Sequence, residues 1–232
     1  ERPLLAAAAE PPIEPPSGDG LAAKYSGLAG ESNSTEALKT AAALFAGAEG
    51  YLFNLKVDKA LELSRQSLEG FRALAHSTGE ADALRLVCHC LRSRGKRELA
   101  VQQAKEDLAR FQVDKLGRGK VQLSLAESSA NLPNCNRREG AEGTALCCVN
   151  DALDIFRQCH DRLLEGTALL TLADIQLVEL KGSPKSRAWR SKETAKQAAT
   201  IFKELGHARG LVRSLYRCGT ACAFGGDTEG AL

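Results

Sequence analysis

The chain has no methionine, and aromatic residues make up only 5% of its 232 positions. A core that is poor in aromatic rings must be filled mainly by alanine, leucine and valine. No apolar run approaches the roughly 20 residues that a membrane-spanning helix requires, and the longest runs are residues 4–9 and 41–48. Because position 1 is not methionine, we expect that the numbered chain begins after processing or is a fragment. No intact targeting peptide is visible.

The sequence also lacks the signatures of common active sites. No Gly-x-Ser-x-Gly, His-Glu-x-x-His or dinucleotide-binding pattern occurs, and residues 117–120 lack the Gly-Lys-Ser/Thr ending of a phosphate-binding loop. His76, His160 and His207 each follow a phenylalanine within five residues, in predicted turns where a turn or capping role is expected. We therefore predict a protein without enzymatic activity, catalytic residues or a bound cofactor.

The eight cysteines do not form a metal-binding pattern. In the run Cys88-His89-Cys90, neighbouring side chains on a helix point about 100° apart, so the three cannot share one tetrahedral ion. Buried cysteine behaves as a small apolar residue, and cysteines on helices favour a reducing compartment. We predict structural thiols and no metal site in an intracellular protein, cytoplasmic or cytoskeletal, with an organelle after transit-peptide removal as the alternative. Cys135, in a predicted exposed loop, is expected to be the most reactive.

Four phenylalanines, Phe71, Phe111, Phe156 and Phe202, recur at one point of a repeated pattern, at spacings of 40, 45 and 46 residues. Mostly small or apolar residues stand three, seven and eleven positions before each one, which places them on one helix face. They are Leu68, Leu108, Leu153 and Ala199; Ser64, Ala104, Val149 and Ala195; and Ala60, Ala100, Ala145 and Ser191. Self-similarity at this period predicts stacked helical hairpins, each of which packs on its neighbours.

Glycine marks the boundary between the two helices of each predicted pair. Gly79, Gly119 and Gly210 follow three of the phenylalanines by eight positions, with Leu164 in the fourth case, which indicates a helix end or the turn after it. In the apolar segment that follows, Glu127 stands where the other repeats have Val87, Leu172 and Cys218.

We predict helices from Ser34 or Thr35 to residue 48, and over 55–75, 80–94, 96–115, 120–131, 144–162, 165–180, 188–205 and 211–224. No stretch alternates well enough to predict a strand.

Two segments, residues 152–161 and 198–207, each followed by a leucine-rich helix, resemble tetratricopeptide (TPR) repeats. The resemblance covers about residues 34–232. It is closest to the long-period type, of roughly 40 residues, found in kinesin light chains and in the Leu-Gly-Asn spindle-orientation scaffolds. It implies an all-α, right-handed superhelix (solenoid) of about four to five helical hairpins and a role in protein binding.

Residues 1–33 differ from the rest of the chain, since five of the seven prolines lie there. We predict that this segment is an extended arm, held against its own helices or, as the slightly favoured alternative, against a neighbouring subunit. The chain is thus divided into this arm and a helical repeat domain over residues 34–232. The last repeat is expected to be incomplete, because residues 225–232 correspond to a turn and the opening of a second helix. The apolar face left open would be covered by more chain or by a partner.

Charge is nearly balanced overall, at +2, but it is not evenly distributed. Residues 1–70 carry 6 Lys/Arg and 10 Asp/Glu, whereas residues 181–232 carry 10 Lys/Arg and 4 Asp/Glu. The first helices of stacked hairpins generally line the concave face, so their residues outside the core are candidates for partner binding. These candidates are Arg85, His89, Arg92, Arg213, Tyr216 and Arg217.

We expect a non-catalytic scaffold for protein–protein interaction that is a structural subunit of a larger assembly, with several subunits of that assembly as partners. The basic candidates would contact an acidic or extended segment of a partner. One alternative is a nucleic-acid-binding helical repeat protein that uses the basic C-terminal third, although stacking aromatics are scarce there, with Trp189 and Tyr216 as the candidates. The other is a regulatory repeat module of a longer enzyme chain.

Overall fold

A computed structural model describes residues 21–130, 144–178 and 182–226 of the chain. Within these ranges the protein is all-helical and contains no strand, which confirms the predicted fold class at this level. No helix in them is both long and apolar enough to cross a membrane. The helices are α1 (Leu21–Gly30), α2 (Glu36–Phe53), α3 (Val57–Ala73), α4 (Ser77–Ser93), α5 (Arg97–Leu108, extended by a 3-10 turn over Ala109–Phe111), α6 (Lys115–Ser129), α7 (Ala145–Gln158), α8 (Arg162–Val178), α9 (Pro184–Glu204) and α10 (Ala208–Gly225).

Each helix packs against the next one in the chain, and the even-numbered helices also contact one another in order. Thus α2 contacts α4, α4 contacts α6, α6 contacts α8, and α8 contacts α10. We call these five helices the inner row and α3, α5, α7 and α9 the outer row. The inner row curves back on itself, because the guanidinium carbon of Arg209 on α10 lies 5.7 Å from the ring centroid of Phe53 on α2.

The four recurring phenylalanines form the centre of this packing, and none is more than 2% exposed. The residues eleven positions earlier on the outer-row helices, Ala60, Ala100, Ala145 and Ser191, are fully buried. Their small side chains allow the inner-row helices to approach closely. On the inner-row side, Ala83, Leu123, Ala168 and Ser214 are likewise fully buried. The predicted burial of the phenylalanines and of the positions eleven residues before them is therefore confirmed.

A compact turn joins each outer-row helix to the next inner-row helix. After α3, Ala75 has a positive φ of 51°, and the His76 N–H donates to the Phe71 carbonyl at 2.9 Å. The His76 Nδ1 atom then accepts the Gly79 N–H at 3.0 Å and caps α4. His207 caps α10 through Gly210 in the same way, so the predicted capping roles are confirmed. His160 lies in the corresponding turn before α8, with a φ of 55°.

The position of the glycines corrects the predicted helix boundaries. Gly79 and Gly210 lie in the first turn of an inner-row helix and do not end the helix before it. A Cβ atom at Gly79 would lie 2.5 Å from the Phe71 ring, so only glycine leaves room for that ring. In the second repeat Gly117 takes this role instead of Gly119, because Asp114 caps α6 after a shorter turn. Helix α6 therefore begins at Lys115, a residue that we had assigned to the preceding helix.

The prediction of an extended arm is wrong for residues 21–30, which form helix α1. Tyr25 is the physical reason, since its side chain is fully buried and its ring centroid lies 4.2 Å from that of Phe45. This part of the arm is held by the chain's own helices. Residues 1–20, Cys135 and the expected incomplete hairpin beyond residue 226 lie outside the described residues.

Candidate binding site on the inner face

Helix α4 presents the first three candidate residues to the inside of the curved row. Arg85, His89 and Arg92 are spaced by four and three positions, which places them on one side of the helix. The opposite side is fixed in the core by buried residues such as Leu84 and Leu91. The packing of α4 therefore positions the three polar side chains together, as the sequence analysis predicted for one face of this helix.

Glu127 on α6 lies opposite these residues. Its Oε2 atom is 2.8 Å from Nη2 of Arg92, and its Oε1 atom is 4.0 Å from Nη2 of Arg85. Burial disfavours the carboxylate, but the guanidinium groups of Arg92 and Arg85 outweigh that effect and lower the pKa of Glu127. The carboxylate is thus ionised at neutral pH, and it links two neighbouring helices of the inner row.

His89 lies among these charges as a neutral side chain. His89 is exposed on the surface of α4, but the protein groups around its ring desolvate it and, together with the positive charges of Arg92 and Arg213, lower its pKa to about 4. Arg213 belongs to α10, so its effect on His89 shows that α10 faces α4 across the inside of the row. Two helices distant in sequence, both predicted to carry site residues, are therefore brought together.

Helix α10 contributes the other three candidate residues to a cleft of about 340 Å³ between α8 and α10. Arg217 forms an ion pair with Asp174 of α8. Tyr216 is 73% exposed at the rim. Burial raises the pKa of Asp174 above its usual range, although Arg217 and Arg213 oppose this. The full lining is Leu170, Asp174, Val212, Arg213, Tyr216 and Arg217. This cleft combines an apolar floor with two guanidinium groups.

We call the charged residues of this surface the inner cluster: Arg85, His89, Arg92, Glu127, Asp174, Arg213 and Arg217. Counted as formal charges with His89 neutral, the four arginines and two carboxylates of the inner cluster give a net charge of +2. Within the described residues, Nε of Arg85 and Nη1 of Arg92 are buried without a hydrogen-bond partner, and Arg213 forms no ion pair. Of these groups the Arg213 guanidinium is exposed, and such a group binds carboxylate and phosphate oxygens well.

Sequence reasoning missed the two acidic members of the inner cluster. A signal existed for Glu127, because it interrupts a set of otherwise apolar equivalent positions. Asp174 directly follows Ala173, a fully buried residue, and no pattern in the sequence distinguishes it from an ordinary surface carboxylate. Trp189 and Tyr216, the two aromatic residues considered for base stacking, are exposed on different helices, α9 and α10.

The cysteines Cys88 and Cys90 add no charge to this part of the structure. Burial raises the pKa of Cys88 to about 12 and that of Cys90 to about 11, so both remain protonated thiols. The Cys88 thiol donates to the Ala100 carbonyl, with the sulfur 3.6 Å from the oxygen. Among the residues that the structure describes, no group of three or more His, Cys, Asp or Glu side chains could hold a metal ion.

Comparison with known proteins adds no family assignment. No protein-family model matches the chain, and no curated protein matches it significantly.

Proposed function

We propose that this protein is a non-catalytic scaffold that binds partner proteins through the inner face of its helix row, as a structural subunit of a larger assembly. The cleft between α8 and α10 is the observation that carries this proposal. It joins Arg213 and Arg217 to the apolar side chains of Leu170, Val212 and Tyr216. Apolar contacts supply affinity in protein interfaces, and charged contacts supply orientation and specificity.

The ligand best suited to this surface is an extended acidic segment of a partner. The net positive inner cluster attracts carboxylates, and Arg213 is free of any ion pair within the described part of the chain. The exposed faces of Tyr216 and Val212, at 73% and 64%, offer contact area beside that charge. Aromatic and arginine side chains in such positions often dominate binding energy.

The architecture proposed for this scaffold is a right-handed superhelix of about four to five TPR-like hairpins. Three findings support it: the sequential packing of the helices, the inner row of even-numbered helices, and the repeated burial of the phenylalanine positions. A reducing compartment is proposed on the basis of Cys88 and Cys90, which are buried free thiols in the core.

The proposal is tested by charge reversal on the inner face. The full chain, tagged and expressed in its native source, would be isolated under mild salt, and the proteins that co-purify in stoichiometric amounts would be identified. Arg213→Glu combined with Tyr216→Ala should reduce their recovery at least tenfold. The control reverses one exposed lysine of outer-row helix α9, Lys203→Glu, which changes the net charge by the same two units, and this variant should retain the partners. Circular dichroism of each variant would show that the fold is unchanged.

Two results would contradict this function. Equal recovery of the partners by the inner-face variant and by the α9 control would remove the inner face as the binding surface. Recovery of nuclease-sensitive material, with binding that weakens steeply as salt is raised, would favour the nucleic-acid alternative. Apolar capture of a protein segment should depend much less on salt.

A further inference from the structure

Tyr25 is the most deeply buried side chain by which helix α1 contacts the inner row. Its ring centroid lies 4.2 Å from that of Phe45 on α2 and 5.5 Å from that of Phe71 on α3. Its hydroxyl group donates to Oδ2 of Asp82 on α4 at 2.9 Å. The tyrosine therefore fills an aromatic pocket that has a carboxylate at its base.

That carboxylate does not depend on α1 for its neutralisation. Nζ of Lys120, on α6, lies 2.5 Å from Oδ1 of Asp82, and the side chains of both residues are almost completely buried. On the other oxygen, Nζ of Lys24 lies 3.3 Å from Oδ2 and is half exposed. If α1 left the pocket, Asp82 would keep its buried partner Lys120, so the pocket would not be left with an uncompensated charge.

Helix α1 is a weak helix apart from this anchor. It has only 10 residues, two of which are glycine, and Ala22 and Tyr25 are its only buried residues. Isolated helices of this length are marginal in water, and glycine weakens them further. A Cβ atom at Gly27 would meet nothing within 4 Å, so no packing requirement explains this glycine. The pocket therefore holds α1 in place, and α1 contributes little order of its own.

The pocket is continuous with the inner cluster. Asp82 precedes Arg85 by three positions on α4, so both lie on the side of the helix that carries His89 and Arg92. Near the beginning of α1, the carboxyl group of Glu49 accepts hydrogen bonds from the backbone of Ala22 and Leu21, and it lies within electrostatic reach of Arg209 on α10. Helix α1 thus covers part of the surface that the inner row would otherwise present.

We propose that α1 is a detachable occupant of a docking site on the inner row, and that this site receives the adjacent Lys–Tyr pair of a short helix. In the resting chain Lys24 and Tyr25 of α1 supply that pair in cis. The phenol fits because it reaches the Asp82 carboxylate through the aromatic pocket, and the lysine fits because it contacts the same carboxylate from the solvent side. Phenylalanine would fill the pocket but would remove the phenol hydrogen bond to the carboxylate.

The test uses the full chain and a fluorescein-labelled synthetic peptide of residues 21–33. Tyr25→Ala should empty the pocket, so the peptide should bind this variant saturably and at least tenfold more tightly than it binds the wild-type chain. A peptide that carries Tyr25→Phe should bind about tenfold more weakly, because it lacks the hydrogen bond to a charged acceptor. A peptide that carries Ser26→Ala, a change at an exposed position, is the matched control and should bind like the unmodified peptide.

Hydrogen exchange on the unmodified chain gives an independent measurement. The amides of α1 should exchange at least a hundredfold faster than those of α4, with little dependence on urea, because α1 opens locally. Gly27→Ala should slow that opening about fivefold by strengthening the helix. Exchange of α1 only together with α4, or absence of peptide binding to a Tyr25→Ala chain whose circular dichroism is unchanged, would overturn the proposal. Neither measurement involves the partner of the inner cluster, so it can fail while the proposed scaffold function stands.

Discussion

Arg92 of α4 and Glu127 of α6 form an ion pair, with 2.8 Å between Nη2 and Oε2, on the inside of the helix row. The side chains are only 15% and 19% exposed. Glu127 lies at a repeat position where Val87, Leu172 and Cys218 are found in the other inner-row helices. A polar contact thus replaces an apolar one at this point of the row, and it contributes both to stability and to the charge of the inner cluster.

Replacing Glu127 by glutamine should separate these two contributions. The change keeps the shape of the side chain but leaves Arg92 and Arg85 without a carboxylate, so the free energy of unfolding should fall by about 1–3 kcal/mol. The net charge of the inner cluster should rise from +2 to +3, and capture of an acidic partner segment should become tighter. Urea denaturation and a binding titration would measure the two effects. The control is Glu69→Gln on exposed α3 surface, which should change neither by more than about 0.5 kcal/mol.

The lowered pKa of His89 predicts a specific dependence of stability on pH. Between the ordinary histidine pKa of 6.5 and the folded value of about 4, the unfolded chain binds a proton that the folded chain excludes. Stability should therefore fall as the pH is lowered through this window. Melting temperatures measured from pH 7 to pH 4.5 should decline less steeply for His89→Gln than for the wild type. Parallel curves would contradict the lowered pKa of this histidine.

The same pKa reports the distance between α4 and α10. Arg213→Gln removes a positive charge near His89, so the pKa of His89 should rise towards its ordinary value. An NMR titration of the imidazole signals would measure this change directly. Arg118→Gln, at the exposed start of α6, serves as the control and should leave the pKa of His89 unchanged. An unchanged pKa in the Arg213 variant would mean that the inner row is less curved than the structure indicates.

The buried helix faces could be predicted from the sequence because equivalent positions are buried in each repeat. Phe71 and its equivalents each pack in the same environment, so periodicity alone identified them. The periodicity assigned the role of the turn glycine to Gly119, whereas Gly117 has it, because the turn before α6 is shorter. A fixed spacing cannot predict such a change in turn length. The periodicity missed α1 because this helix is held by long-range contacts, among them those of Tyr25 and Lys24 with Asp82, that no local pattern encodes. The electrostatic influence of Arg213 on His89 and Glu127 was likewise inaccessible, since it results from the curvature of the row.

Close packing of the phenylalanine ring against the first turn of α4 makes Gly79 sensitive to substitution. A Cβ atom there would lie 2.5 Å from Phe71 Cδ1 and 2.7 Å from His76 Nδ1, so Gly79→Ala should displace both the ring and the cap. We expect a loss of about 1–3 kcal/mol in the free energy of unfolding. Gly47→Ala in α2 is the matched control, because its Cβ atom would meet Leu63 at an ordinary 3.5 Å. It should stabilise the protein by about 0.5–1 kcal/mol, since alanine favours the helix. Thermal or urea denaturation of both variants would establish whether the signs differ.

At the turn between α3 and α4, the same change from alanine to glycine can be made at two positions that lie two residues apart. The two changes should have opposite effects on the free energy of unfolding. Ala75 is exposed and has a φ of 51°, a left-handed conformation that costs an L-residue about 1–2 kcal/mol and costs glycine little. Ala75→Gly should therefore raise the free energy of unfolding by about 0.5–1 kcal/mol, after allowance for the greater freedom of glycine in the unfolded chain. Ala73→Gly, at the exposed last residue of α3, should lower it by about 0.5 kcal/mol because Ala73 is helical. Urea denaturation would measure the free energy of unfolding of both variants. Because both replace alanine by glycine, a difference between them reflects the backbone conformation at each position. Destabilisation by both would contradict the left-handed conformation of Ala75 in the turn before α4.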